Sequence, residues 1–280
     1  GTYGRIIHDS GKSDEGPVFQ WDVTYNGFDY LLCEIEELLN HISTGAGNIS
    51  VQRVNRVTLI TQFLKALYGS YPTVIPQLSS LTECLYQIIH RVSRFQNLAP
   101  LELISSCVDC LNCVAKIHPK QVWHNIKQTG LLPFLTGNVD NFAEISSGQE
   151  LNAGAYGILL AGSELTQGHY PVTCSLLRMI SDLIQPFYGL EMEQELMAPV
   201  MYMLREVFPV FQKWRYIDHT KREQIGHSCL EIFHKILNFL GNRKKSAIGR
   251  PQLQQVCIYS LLFTEAGRAL LDIIGTGSDT

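Results

Sequence analysis

Between Pro100 and His118 the chain reads PLELISSCVDCLNCVAKIH. Leu101, Ile104, Val108, Leu111, Val114 and Ile117 recur at steps of three and four, the period of one helix face, and Pro100 stands where a helix begins. Pro119 both closes this helix and opens a short one through Trp123 and Ile126 to Gly130. The same run carries Cys107, Cys110 and Cys113, a C-x2-C-x2-C spacing shared with zinc and iron-sulfur ligand sets. A metal or redox reading competes here with a helical one. A ferredoxin-like run needs a fourth cysteine followed by proline; position 117 is Ile117, and His118 is the nearest further ligand. Ligand knuckles sit on turns, whereas these cysteines fall inside an apolar stripe, where free thiols act as small hydrophobes. The helical reading is the better one.

The same grammar extends in both directions. Phe28, Leu31, Leu32, Ile35, Leu38, Leu39 and Ile42 trace one helix face, with Glu34, Glu36 and Glu37 directed elsewhere. A second helix runs from Asn48 or Ser50 to Gly69, and a third follows Pro76 through Leu85 and Ile89 to Phe95. Beyond Gly130, residues 149–165, 171–184, 199–211, 220–240 and 251–274 read helical, the last split near Thr264 to Gly267. Ten or eleven helices then cover about 60% of the chain, nearly twice the usual share. No convincing strand is visible. Residues 1–27, through Gly11, Gly16, Pro17 and Gly27, lack a period and read as an extended or loop segment. Short links between amphipathic helices favour antiparallel neighbours, so the predicted fold is all-α: stacked antiparallel helix pairs over 28–280, an α-solenoid of the helical-repeat (ARM/HEAT-like) kind. A compact helical bundle is the plainer alternative. Its longest break, 133–149, is a long loop or hinge.

Composition sets outer limits. The 280 residues carry a formal net charge of −4, with 45% hydrophobic and only 17% charged residues. That excludes a mostly disordered chain and, with no basic stripe, direct nucleic-acid binding as the main role. Eight cysteines are too sparse for a disulfide framework, so a reducing cytosolic or nuclear setting fits. The longest uncharged run, Ala66 to Thr82, is interrupted by Gly69, Pro72 and Pro76 and falls short of a membrane span. Gly1 in place of Met points to a fragment.

Motifs for chemistry are missing. There is no HExxH, GxSxG, Walker A sequence or strand-borne GxGxxG. His227 and His234 lie two turns apart, and Gly154-Ala155-Tyr156-Gly157 reads as small residues letting two helices approach. Glu191, Glu193 and Glu195 alternate near a helix start, as the helix dipole favours. Arg243, Lys244, Lys245 and Arg250 read as a solvated interhelix loop, with a localisation signal or anion site as the functional alternative. No cofactor and no metal is expected, and the chain is not expected to be an enzyme. The aromatic cluster Phe208 to Tyr216 holds the one interface candidate, Trp214, Arg215 and Tyr216, because such residues dominate interface energies; packing at an interhelix turn is the competing role.

Several runs in the second half carry a resemblance. They are Val122-Trp123, Thr129 to Phe134, Leu151 to Gly157, Tyr170 to Thr173, Lys213-Trp214-Arg215-Tyr216, Arg222 to Gly226, and Phe263 to Gly267 with Gly275 and Asp279. In order and spacing, residues 120–280 resemble the large inner-ring scaffold nucleoporins, the smaller of the two giant helical types. The resemblance implies a non-enzymatic α-solenoid segment from the N-terminal half of a much longer chain, located in the nuclear envelope at the nuclear pore complex. Its implied partners are other inner-ring and linker nucleoporins, with no small-molecule substrate, and its implied role is to hold the ring together and support transport of protein and mRNA. The rival functions are a soluble helical-repeat transport receptor or adaptor for peptide cargo and, from another class, a metal or redox protein using Cys107, Cys110 and Cys113. A segment cut from a solenoid exposes apolar faces at each cut, so this piece alone is expected to aggregate.

Overall fold

The computed structural model describes residues 3–7, 18–22, 27–43, 50–95, 99–136, 151–185, 195–240 and 253–276. Two strands come first, β1 (Tyr3–Ile7) and β2 (Val18–Asp22), paired antiparallel with Tyr3 opposite Asp22 and Ile7 opposite Val18. The expectation that strands are absent is corrected here. A search for helical periods passes over Val18-Phe19-Gln20-Trp21, whose β-branched and aromatic content suits a strand.

Helices follow in rapid succession: α1 (Gly27–Ser43), α2 (Val51–Ser70), a 3-10 turn (Pro72–Leu78), α3 (Ser79–Val92), α4 (Leu101–Ala115) and α5 (Pro119–Gln128). α6 starts at Gly154–Leu159 and continues through a π-turn, Leu160–Glu164, into Leu165–Gln167. α7 (Pro171–Ile184) comes next, then α8 (Met197–Tyr202), which runs into a second π-turn, Met203–Val207. The described chain closes with α9 (Thr220–Leu240), α10 (Leu253–Phe263) and α11 (Glu265–Thr276). Proline sits at the start of α5 and α7, where its missing N–H removes no intrahelical bond. The helix expected from Pro76 begins instead at Ser79, because Pro72–Leu78 winds tightly as 3-10.

The architecture is an all-α solenoid. α2, α4, α7 and α9 stand side by side in one row, each packed on the next. Contacts rise in step along them: Ser105 meets Ser175 and Asn112 meets Asp182, so α4 and α7 run parallel. Parallel neighbours in one row, with other helices returning between them, are what stacked helices of a solenoid produce. α1 packs on α3 in the opposite layer. One apolar core runs from Ile35 to Ala269 without interruption.

The expected break at 133–149 lies mostly outside the described residues, but its flanks run side by side. β3 (Phe134–Leu135) pairs antiparallel with β4 (Leu151–Asn152), and Ala155 and Tyr156 donate to the carbonyls of Gly130 and Leu131. Leu151 and Asn152 therefore belong to a strand and not to the helix expected from Gln149. Gly154 closes the junction at φ 62°, where an added Cβ would collide with the carbonyl oxygen of Leu132.

Candidate functional site

α4 occupies the middle of the row, and its position decides what its cysteines do. Cys107 and Cys110 are fully buried, and burial pushes both thiols well above their ordinary range. Half-buried Cys113 directs Sγ to the carbonyl oxygen of Lys65 at 3.8 Å, with its thiol also raised by burial. Thiols held protonated are poor ligands and poor nucleophiles. Among the described residues, no group of three or more His, Cys, Asp or Glu side chains is placed to hold a metal ion. Cys107 and Cys110 belong to the apolar core, and Cys113 packs against it.

A ladder of polar contacts crosses the same row. Asp109 of α4 accepts from Lys65 of α2 at 2.6 Å and from Arg178 of α7 at 2.8 Å, so one carboxylate ties three helices. The Ser105 and Ser175 hydroxyls share a hydrogen bond of 2.8 Å, and Asn112 Nδ2 donates to Asp182 Oδ2 at 2.7 Å. One helix further on, Lys235 of α9 donates to Ser181 and pairs with Glu231 at 2.8 Å. None of these residues stands out in sequence, because lone polar residues about 44, 54 or 70 positions apart carry no local motif.

The α6–α7 junction holds a buried carboxylate. Glu164, in the π-turn of α6, accepts from the amides of Val172 and Thr173 at 2.7 and 3.1 Å and from the Thr173 hydroxyl. It supplies the N-terminal cap of α7 from outside that helix. Burial raises its pKa to about 7 against the opposing pull of those hydrogen bonds.

The interface candidates lie at the neighbouring turn. Trp214 is half-buried and stacks on Tyr170 at 5.0 Å between ring centres; Arg215 is exposed. Tyr216 is buried, with its ring 4.8 Å from that of Tyr170 and its hydroxyl donating to Phe211 O. The Tyr170 hydroxyl in turn donates to Arg215 O at 2.7 Å. Of the other sequence candidates, His227 and His234 are exposed on α9, and Glu195 pairs with Lys127. Glu191, Glu193 and the basic positions 243, 244, 245 and 250 lie outside the described residues. At Gly157 an added Cβ would collide first with Ala153 Cβ at the start of the same helix, and the Tyr202 hydroxyl of α8 lies 3.3 Å away, so the glycine relieves crowding within α6 more than it sets the approach of α8.

With the helix row, its polar ladder and its buried thiols in place, the chain can be compared with known proteins. A family model described as Nucleoporin Nup188, N-terminal subdomain III, matches residues 18–280. The chain belongs to the Nup188 nucleoporin family. Nucleoporin NUP188 of Homo sapiens and that of Mus musculus are each 35% identical to it over 280 residues, all of this chain and 16% of theirs. Nucleoporin Nup188 of Drosophila melanogaster is 24% identical over 271 residues. The chain thus spans about a sixth of the length of these Nup188 relatives.

Sequence reading also missed which side chains this Nup188-family chain leaves open at its two ends. On α2, the first helix of the row, Leu59 and Phe63 are exposed one turn apart. At the other end Leu262 and Phe263 of α10 and Leu271 and Ile274 of α11 are exposed at 63–72%. Large apolar side chains gathered at the ends of a stack mark faces suited to further packing.

Proposed function

We propose that the chain is a non-enzymatic segment of a structural constituent of the nuclear pore complex inner ring, in the nuclear envelope, where the whole protein supports pore assembly and passage of protein and mRNA. The observation that carries this reading is the uninterrupted core along a helix row whose two end faces are apolar and open, in a chain of the Nup188 family. An object built this way transmits position along its length. Its partners are other inner-ring and linker nucleoporins. One contact corner is Arg215 with the open edge of Trp214 and the exposed side chain of Ile217; Tyr216 sets that corner by packing beneath it.

Endogenous tagging of the whole protein tests the reading. Rim staining and co-purification with inner-ring components through moderate salt are expected. A freely shuttling pool whose binding depends on nucleotide state would identify a transport receptor instead. Within the rim-bound protein, Arg215→Glu combined with Ile217→Asp is expected to weaken partner retention severalfold without changing thermal unfolding; unchanged retention would remove the corner from the interface.

A further inference from the structure

We propose that the cleft between the C-terminal ends of α4 and α7 receives a lysine side chain from the surface of a partner protein. Asn112, Ala115 and Lys116 line it from α4 and its end, and Asp182, Leu183 and Gln185 from α7 and its end. Asn112 is 5% exposed, and its Nδ2 is committed to Asp182. Its Oδ1 is buried and has no hydrogen-bond partner among the described residues. Buried amide oxygens in native folds are nearly always paired, so a donor is owed here.

Charge in the neighbouring rungs points the same way. Asp109 holds two cations and Glu231 holds one. Asp182, half-buried, receives the Asn112 amide and makes no ion pair among the described residues. α4 and α7 both end beside the cleft, at Ala115 and Ile184, so carbonyl groups and the negative ends of two helix dipoles face it. An ammonium has three donors and a compact charge, which a carboxylate, an amide oxygen and a terminal carbonyl can satisfy together. Lys116 lines the mouth as the internal rival, yet its own side chain is exposed and forms no ion pair with Asp182. From Gln185 to Gln194 the sequence contains neither lysine nor arginine.

The proposal rests on the scaffold reading only for the presence of a standing partner. Zero-length carbodiimide crosslinking of intact nuclear envelopes, read by mass spectrometry, joins a carboxylate to an amine in direct contact. An Asp182 crosslink to a lysine of another protein is expected, lost in Asp182→Asn and reduced about tenfold or more in Asn112→Ala, with thermal unfolding of Asp182→Asn unchanged. The Glu231–Lys235 pair within α9 serves as the internal control that the reagent reached this row. Recovery of that control with no Asp182 crosslink, or an Asp182 crosslink only to Lys116 or another lysine of the same chain, overturns the proposal. Absence of the protein from the nuclear rim sinks the scaffold reading and not the cleft, because the crosslink is scored in whichever pool holds the protein.

Discussion

Glu164 shows how much one side chain can hold. It pairs three donors at the start of α7, and Glu164→Ala leaves those donors buried and unpaired. A loss of about 2–4 kcal/mol is expected from thermal or denaturant unfolding of a soluble segment containing this junction. Its ionisation adds a pH dependence whose sign follows from the raised pKa. Between the ordinary value of 4.5 and about 7, the folded state holds the proton that the unfolded state has released. Stability from this group therefore falls as pH rises through that window and is level above it. Glu164→Gln should flatten this slope, and an unaltered slope would mean that another group titrates there. The cysteines give a second residue-scale test. Exposed Cys33 should react with a maleimide in the native protein, whereas Cys107 and Cys110 should react only on unfolding. Peptide mapping after labelling reads this directly, and early modification of Cys107 would contradict its packing role.

Among the elements, α4 depends most on its neighbours. Asp109 joins it to α2 and α7, with a side chain only 11% exposed, while Lys65 and Arg178 are each more than 40% exposed. Removing the carboxylate leaves two cations facing each other across α4, but solvent screens them. Asp109→Ala should cost about 1–2 kcal/mol in unfolding free energy, more than Lys65→Met or Arg178→Met alone, because either single cation change leaves the other pair intact. Equal costs for all three would show that the carboxylate does not couple the helices. The helical stripe of α4 was legible from Leu101 to Val114, since periodicity is local, whereas Ile117 lies past the helix end and is exposed. The rungs were not, because Asp109 acquires Lys65 and Arg178 only when helices far apart in sequence pack together.

Across the whole molecule, the balance is between a continuous buried core and open ends. Burial at about 25 cal/mol per Å² stabilises the stack, and the same effect makes exposed Leu59, Phe63, Leu262, Phe263, Leu271 and Ile274 adhesive. The isolated 280-residue chain should therefore self-associate in light scattering. Leu262→Lys with Phe263→Lys, or extension by flanking sequence of the longer protein, should reduce this. A monodisperse monomer at tens of micromolar, on the order of the concentrations at which exposed apolar faces associate, would count against the open-end reading.

Helix content, the proline-marked starts of α5 and α7 and the resemblance to a nucleoporin scaffold were settled by order and spacing along the chain. Each depends on neighbours within a few residues, or on a pattern preserved in linear order. Tertiary structure alone decided that residues 3–7 and 18–22 pair as strands, that the flanks of the central break lie side by side, and that Asn112 keeps an unpaired oxygen beside Asp182. These features arise when segments distant in sequence meet. Local periodicity specifies which face of a helix is apolar, but not which helix will cover it or which polar group will be left waiting at the seam.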